Sequence, residues 1–197
     1  MSHFFAYMAR LKLIQRWSLM RNTQPENDAE HSLQVAMIAH ALAVMGRDRY
    51  GRDVNPEHAV TLAVYHDASE ILTGDMPTPV KYHSDELRIA YKQVETLATD
   101  RLLAMLPEDL RAPFTPCLTE ADTYARQLIK AADRISAYVK CLEEQQAGNH
   151  EFDAAGESIR ATIEASELPE VHDFMREFVP SFALTLDELN RTGEASE

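Results

Sequence analysis

Glycine is scarce, with 6 residues in a chain of 197. No glycine-rich phosphate loop, Gly-x-Ser-x-Gly or Cys-x-x-Cys motif occurs, which excludes a P-loop NTPase, a serine hydrolase of the nucleophile-elbow type and a thioredoxin-like enzyme. Cysteine is rarer still. Cys117 and Cys141 have no cysteine nearby to share a zinc motif, so both are read as reduced and incidental. Apolar runs stay far short of the ~18–20 residues that a membrane-spanning helix needs. The first ten residues lack the basic, apolar and cleavage segments of a signal peptide, which makes the cytoplasm the expected location. Positive charge is also in short supply: 19 Lys and Arg face 32 Asp and Glu, for a net charge of -13. Such a surface repels a polynucleotide backbone, so neither a nucleic acid polymer nor a membrane is an expected partner. A small anion remains admissible, because a local metal or arginine reverses the field inside one pocket.

What is present is apolar patterning at helical spacing, with no clear strand-type alternation. The reading is all-α, one bundle over residues 1–197. A first helix near 2–16 would carry Phe4, Phe5, Met8, Leu11 and Ile14 as one stripe. A second, near 29–45, has Asn27 or Asp28 as its N-cap and places His31, Val35, Ile38 and Leu42 on one face. Gly46–Asp53 reads as a loop. Asn55-Pro56 starts a third helix that runs to about Leu72, stops at Gly74 and, being apolar on nearly every side, should be central. The prolines of Asp75-Met76-Pro77-Thr78-Pro79 forbid its continuation. Further helices are expected near 84–106, 120–147, 151–166 and 169–179, with a short helical turn after Pro107. Phe174, Phe178 and Phe182 read as core or dimer contact. Glu143-Glu144 and the acidic tail near Glu194 read as solvated surface, and His40 as a packing residue.

Chemistry enters where ionisable residues interrupt apolar faces. His66 and Asp67 sit at the end of the most apolar helix, where an ionised carboxylate is costly unless a cation or several donors compensate it. His31 extends the apolar stripe of the second helix. Asp133 lies among Ile129, Ala132, Ser136 and Ala137, small or apolar neighbours that allow close helix approach. Two imidazoles and two carboxylates on three helices form a mixed N/O set suited to one divalent transition metal such as manganese, cobalt, iron or zinc.

That order, H…HD…D, resembles the signature of the HD superfamily of metal-dependent phosphohydrolases. Longer stretches are similar to the bacterial HD-domain 5'-deoxynucleotidases: Leu13-Ile14-Gln15-Arg16-Trp17, Glu30-His31-Ser32-Leu33-Gln34-Val35-Ala36, Tyr65-His66-Asp67-Ala68-Ser69-Glu70, Leu72 through Lys81, and Lys130-Ala131-Ala132-Asp133. The resemblance extends to Phe178-Val179-Pro180-Ser181-Phe182. Met76, and Asp28-Ala29 ahead of His31, depart mildly from the family pattern. The resemblance implies His31, His66, Asp67 and Asp133 as ligands of one divalent transition metal, cobalt, manganese or similar, and Glu70 and Asp75 as the catalytic acidic pair. It implies Arg16 as the group that orients the phosphate, and Trp17, Asp75, Met76, Pro77, Thr78 and Asp133 as the nucleotide site. It further implies a cytosolic homodimer that acts on deoxyribonucleoside 5'-monophosphates.

The residues themselves leave alternatives open. Glu70, one turn beyond His66 and Asp67, suits holding a water in line with phosphorus, and also reads as a solvated helix-end residue. Asp75 fits a second acid presented by a stiff loop, or a plain turn residue. Arg16 matches phosphate oxygens with a planar fork, or makes a surface ion pair. Trp17 is a sugar wall that excludes a 2'-hydroxyl, or a core residue. The expected reaction is direct attack of water on phosphorus, with the two acids sharing water positioning and leaving-group protonation. Competing readings are an HD enzyme for nucleoside triphosphates or cyclic nucleotides, for which basic residues beyond Arg16 and Lys81 are lacking, and a non-catalytic metal-binding regulator, against which intact Glu70 and Asp75 argue.

Overall fold

The computed structural model describes residues 1–81, 83–119 and 123–191. Among them the secondary structure is helical, with one isolated antiparallel bridge between Gln15 and Asn27. None of these helices is long and apolar enough to cross a membrane.

Two 23-residue helices form the axis, α2 (Asp28–Tyr50) and α8 (Tyr124–Gln146). Asn27 caps α2 by accepting from Ala29 and Glu30 N–H, and Thr123 caps α8 by accepting from Arg126 N–H. Val35, Ile38, Leu42, Leu128, Ile135 and Val139 interlock between them and are fully or almost fully buried. Helix α2 outruns its expected end near 45 because Gly46 lies inside it, buried where Tyr124 crosses: a Cβ there would stand 2.6 Å from the tyrosine hydroxyl. Gly51 ends the helix in the left-handed region at φ 63°, behind Arg47 and Arg49, which complement the carboxyl end of the dipole.

Helix α3 (Pro56–Val64) packs on α2 through Ala59, Leu62 and Ala63 and leaves Val64 exposed, so it flanks the core and does not centre it. It also stops well before Leu72. From Tyr65 to Leu72, Tyr65, His66, Ala68, Glu70, Ile71 and Leu72 each donate three residues back, a tighter winding than α-helix. His66 and Asp67 therefore lie on this tight turn, followed by α4 (Glu70–Thr73) and Gly74 at φ 73°. Of the expected break over residues 75–79, residues 75–77 are non-helical, but α5 (Thr78–Lys81) resumes for one turn with Pro79 in it, where its missing N–H costs no helix bond.

The expected first helix is also broken. Helix α1 (Phe4–Met8) and a 3-10 turn (Leu11–Leu13) end at Ile14, whose extended backbone leads into the Gln15–Asn27 bridge. Phe4 and Leu11 are buried while Phe5 is exposed, so the five-residue stripe divides between two short elements. Phe4 anchors a smaller cluster with Ala68, Leu102 and Leu106, beneath α6 (Asp85–Ala104). Helix α7 (Glu108–Thr119) is 12 residues long where one turn was expected. Its Pro113 and Pro116 lie in a helix with no buried residue, where water can serve the carbonyls they leave unpaired. The expected beginning of the next helix near 120 lies outside the described residues, as does the tail near Glu194. Helices α9 (Asp153–Glu164) and α10 (Pro169–Glu177) then pack on α8 and α2. Phe174 is in the core, Phe182 packs against it and Phe178 is exposed. His40 is exposed, which corrects its reading as a packing residue.

Candidate active site

The side chains expected to meet do meet, at the junction of α2, α8 and the tight turn after α3. His31 Nε2 lies 3.1 Å from Asp133 Oδ1 and 3.6 Å from Asp67 Oδ2, and His66 Nε2 lies 3.0 Å from Asp67 Oδ2. One donor atom each from His31, His66 and Asp133 falls within 4.8 Å of the others.

Hydrogen bonds fix both imidazole tautomers. His66 Nδ1 is 2.7 Å from the carbonyl of Ala63, which can only accept, so the ring proton is on Nδ1. Ser136 donates its hydroxyl proton to Gln34 Oε1 at 2.6 Å and is thereby left to accept from His31 Nδ1 at 3.2 Å. In both rings Nε2 is buried and lacks a hydrogen-bond partner. In the neutral rings two imidazole lone pairs thus face two carboxylates at contact distance, an arrangement that repels itself unless a cation enters or the rings take up protons on Nε2. Burial alone would lower the His31 pKa, yet hydrogen bonds with Asp133 and Glu26 outweigh it and push the ring up to about 9. Burial would likewise raise Asp67, but the charge on His66 and its hydrogen bond hold it well below the usual carboxylate range. The donor set, its spacing and its unpartnered nitrogens fit a divalent metal.

Arg16 reaches this cluster from the bridge strand. Its N–H donates to Glu26 O at 3.0 Å, and its guanidinium stands 3.3 Å from Asp67, 3.5 Å from Glu26, 3.8 Å from Asp28 and 4.0 Å from Asp133. Burial works against its charge, and Asp67 and Asp133 more than restore it. Trp17 follows in the left-handed region at φ 55°, a strained position for a bulky residue. Its Nε1 donates to Glu26 Oε2 at 2.8 Å, and its ring lies 5.3 Å from Phe152.

Glu70 is buried, with Oε2 unpartnered. Desolvation, then the charges of Asp67, Asp28 and Asp75, drive its pKa up to about 10. Asp75 is raised as well, by desolvation first, and shares the field of Arg16 and Asp67. Met76 and Pro77 continue half-buried and Thr78 is exposed; Pro77 O accepts from Val80 and Lys81 N–H. A cleft of about 520 Å³ opens beside the cluster between α6 and α8, with His66, Asp67, Glu70 and Asp133 at one end. Arg16, Trp17 and residues 75–78 do not line it.

Two carboxylates around Arg16, and a third outside the site, escaped the sequence. Glu26 looked like part of a polar connector, and Asp28 like a helix cap, yet Asp28 has no exposed surface and both its oxygens are unpartnered. Glu144, expected on the surface, is 1% exposed and paired with Lys140. The one available signal was the four-residue Lys140–Glu144 spacing on an amphipathic helix.

Curated relatives at about half identity carry the name 5'-deoxynucleotidase. A family model described as 5'-deoxynucleotidase YfbR-like matches residues 3–182. A 5'-deoxynucleotidase of Vibrio parahaemolyticus is 51% identical over 96% of this chain and 98% of its own length. The 5'-deoxynucleotidase YfbR of Escherichia coli is 52% identical, with 96% of each chain covered. A crystal structure of an HD-domain phosphohydrolase from Listeria innocua superposes with a TM-score of 0.81 at 27% identity, covering 95% of this chain and 92% of that one. The cyanophage S-2L HD phosphohydrolase DatZ, solved with dA and one catalytic zinc ion, shares the fold at a TM-score of 0.62 and 24% identity, over 91% of this chain and 96% of its own. With relatives at half identity over nearly the full length and the H…HD…D side chains converging as that fold requires, this chain belongs to the YfbR-like 5'-deoxynucleotidase family of HD phosphohydrolases, a phosphoric monoester hydrolase.

Proposed function

We propose that the chain cleaves deoxyribonucleoside 5'-monophosphates to deoxyribonucleoside and phosphate at one divalent transition metal, cobalt or manganese, held by His31, His66, Asp67 and Asp133. The observation that carries this reading is the pair of buried Nε2 atoms, each with its Nδ1 committed elsewhere, facing Asp67 and Asp133. A divalent ion in that position supplies Lewis acidity to the phosphate and a template for its oxygens.

The remaining work falls to the chain's own groups. Arg16, fixed by carboxylates on several sides, directs its fork of N–H donors at the phosphate oxygens. Glu70 and Asp75 divide the proton traffic: one carboxylate takes a proton as water oxygen bonds to phosphorus, and the other carboxyl gives one to the departing 5'-oxygen. Desolvation raises both carboxyls, which favours a proton held on one of them for the leaving oxygen while the other, ionised, takes the proton of the water. Trp17, with Asp75, Met76, Pro77 and Thr78, borders the nucleoside, and the indole closes the space a 2'-hydroxyl would need. The whole of 1–197 acts as one domain, as a homodimer in the cytoplasm.

A phosphate-release assay across deoxy- and ribonucleoside monophosphates, diphosphates, triphosphates and cyclic nucleotides, with manganese or cobalt supplied, tests the reading. Activity confined to monophosphates and abolished in Glu70→Ala supports it. Turnover of triphosphates or cyclic nucleotides in preference to monophosphates, or metal binding without any product, rejects it.

A further inference from the structure

Far from the metal cluster, near the carboxyl end of α8, a carboxylate is buried in a way the reaction does not require. Glu144 is 1% exposed and receives donors from every direction. Thr23 gives its N–H at 2.9 Å and its hydroxyl at 2.7 Å, Gln24 its N–H at 3.3 Å, and Asn149 its amide at 2.8 Å. Lys140, one turn back on α8, completes the set, and its ammonium also donates to the carbonyl of Gln24. Burial would raise this carboxyl, but the bonds from Lys140, Asn149 and Thr23 hold it well below the usual range.

The bonds from Thr23 and Gln24 come from one stretch of chain, the connection between Trp17 and α2, which Lys140 also holds through Gln24 O. Asn149 also donates to Arg21 O at 2.7 Å. Asn22 donates to the carbonyls of Trp17 and Met20 at 3.2 and 2.9 Å, which closes a turn directly behind the indole. The connection then delivers Glu26, which accepts from Trp17 Nε1 and has its other oxygen 3.5 Å from His31 Nδ1. A second route joins the same pair to the same ring: the Lys140 ammonium lies 5.6 Å over Phe152, which is fully buried and packs on Trp17. A tryptophan at positive φ does not hold that conformation unaided, and the surrounding contacts must over-determine it.

We propose that Glu144, together with Lys140, is the positioning residue that sets Trp17 against the sugar, so that discrimination between deoxyribose and ribose depends on a carboxylate outside the site. The proposal rests on Trp17 being the sugar wall. A carboxylate is required because every neighbour donates. Glutamine would turn an N–H toward one of these donors and leave the Lys140 charge unpaired.

Trp17 is the only tryptophan of the chain, so its fluorescence reports its own placement. The experiment compares wild type, Glu144→Gln, Thr23→Ala and Trp17→Ala by far-UV circular dichroism, by acrylamide quenching in the tryptophan-containing proteins, and by kcat/KM on dUMP and UMP. In Glu144→Gln, helicity is expected to persist while the indole becomes more quenchable and the dUMP/UMP ratio falls by roughly tenfold, the scale of a displacement below 1 Å at a reacting centre. Thr23→Ala, which removes a single bond, should move both readouts the same way by less and keeps the test open if Glu144→Gln fails to fold. Should Trp17→Ala lower the ratio while Glu144→Gln (or Thr23→Ala, if only that variant folds) leaves quenching and ratio at wild-type values, the positioning role is overturned. If Trp17→Ala itself leaves the ratio unchanged, the wall reading fails, and the link from Glu144 to selectivity fails with it.

Discussion

Asp28 sets a carboxyl with no exposed surface 3.8 Å from the Arg16 guanidinium, and neither of its oxygens has a hydrogen-bond partner. Desolvation is the main cause that raises it to about 7, with Asp67 and Asp75 adding to the shift and Arg16 opposing it. A folded-state pKa above the unfolded value means that the native protein binds the extra proton, so stability is fullest below about pH 4 on this account and declines as pH rises through about 7. Asp28→Asn removes that penalty. The variant's metal-free melting temperature at pH 8 should rise by about 2–4 °C, equivalent to about 1 kcal/mol in a chain of this size, and its gain should shrink toward pH 4. A lower melting temperature at pH 8 would show that the carboxylate is compensated. Glu70 gives the opposite kind of prediction. Glu70→Gln should lose about 10²–10⁴ in kcat while retaining stoichiometric metal, measured by elemental analysis. Loss of metal together with activity would make Glu70 a ligand. The sequence singled out Glu70, His31, His66, Asp67 and Asp133 because each interrupts or adjoins an apolar pattern. It hid Glu26 and Asp28 because a polar residue between two elements looks the same whether it faces solvent or a buried arginine.

At the scale of elements, the site depends on where helices stop. Over the eight residues 65–72, an apolar pattern does not separate a 3.6-residue repeat from a 3.0-residue one, so the sequence suggested one helix to Leu72 where the structure has α3, a tight turn and α4. His31, His66, Asp67 and Asp133 still meet because both windings direct the chain back over the preceding turn, and His66 Nδ1 still finds the carbonyl three residues earlier. Helix α7 was underestimated for the reverse reason: proline reads as a stop, and a solvated helix tolerates it. Where α2 and α8 cross, the packing leaves no room for change. Gly46→Ala drives a methyl group toward the Tyr124 hydroxyl, which is already bonded to Glu170. It should destabilise the fold by about 1–3 kcal/mol in urea unfolding, and an unchanged midpoint would mean that Tyr124 yields freely. At the far end of α2, Tyr50, Arg49 and Arg176 all donate to Asp173. Those bonds lower its pKa to about 2, below the unfolded value, so the tie between α2 and α10 is intact above about pH 4 and is lost as pH falls through 2. Asp173→Asn should flatten acid unfolding over that interval, followed by circular dichroism, and an unaltered acid limb would contradict the assignment.

Taken whole, the molecule is an acidic chain of net charge -13 that gathers more carboxylates at its centre than its own cations balance. The all-α architecture and the α2–α8 axis were legible because long helices declare themselves by period and caps, and so was the break after Gly74 that places Asp75; the short elements that carry Arg16 and Trp17 were not, because tertiary contacts decide them. Charge balance then ties the fold to its metal. An ion that binds only the native state at 100 times its Kd adds about 2.7 kcal/mol. The melting temperature should therefore fall on chelation and recover with manganese or cobalt, and an Asp133→Ala protein should not respond. The most direct test is anomalous diffraction from crystals grown with manganese. The account predicts a single peak within bonding distance of His31 Nε2, His66 Nε2 and the carboxylates of Asp67 and Asp133. A peak elsewhere, or full activity in a protein shown to contain no metal, would contradict it.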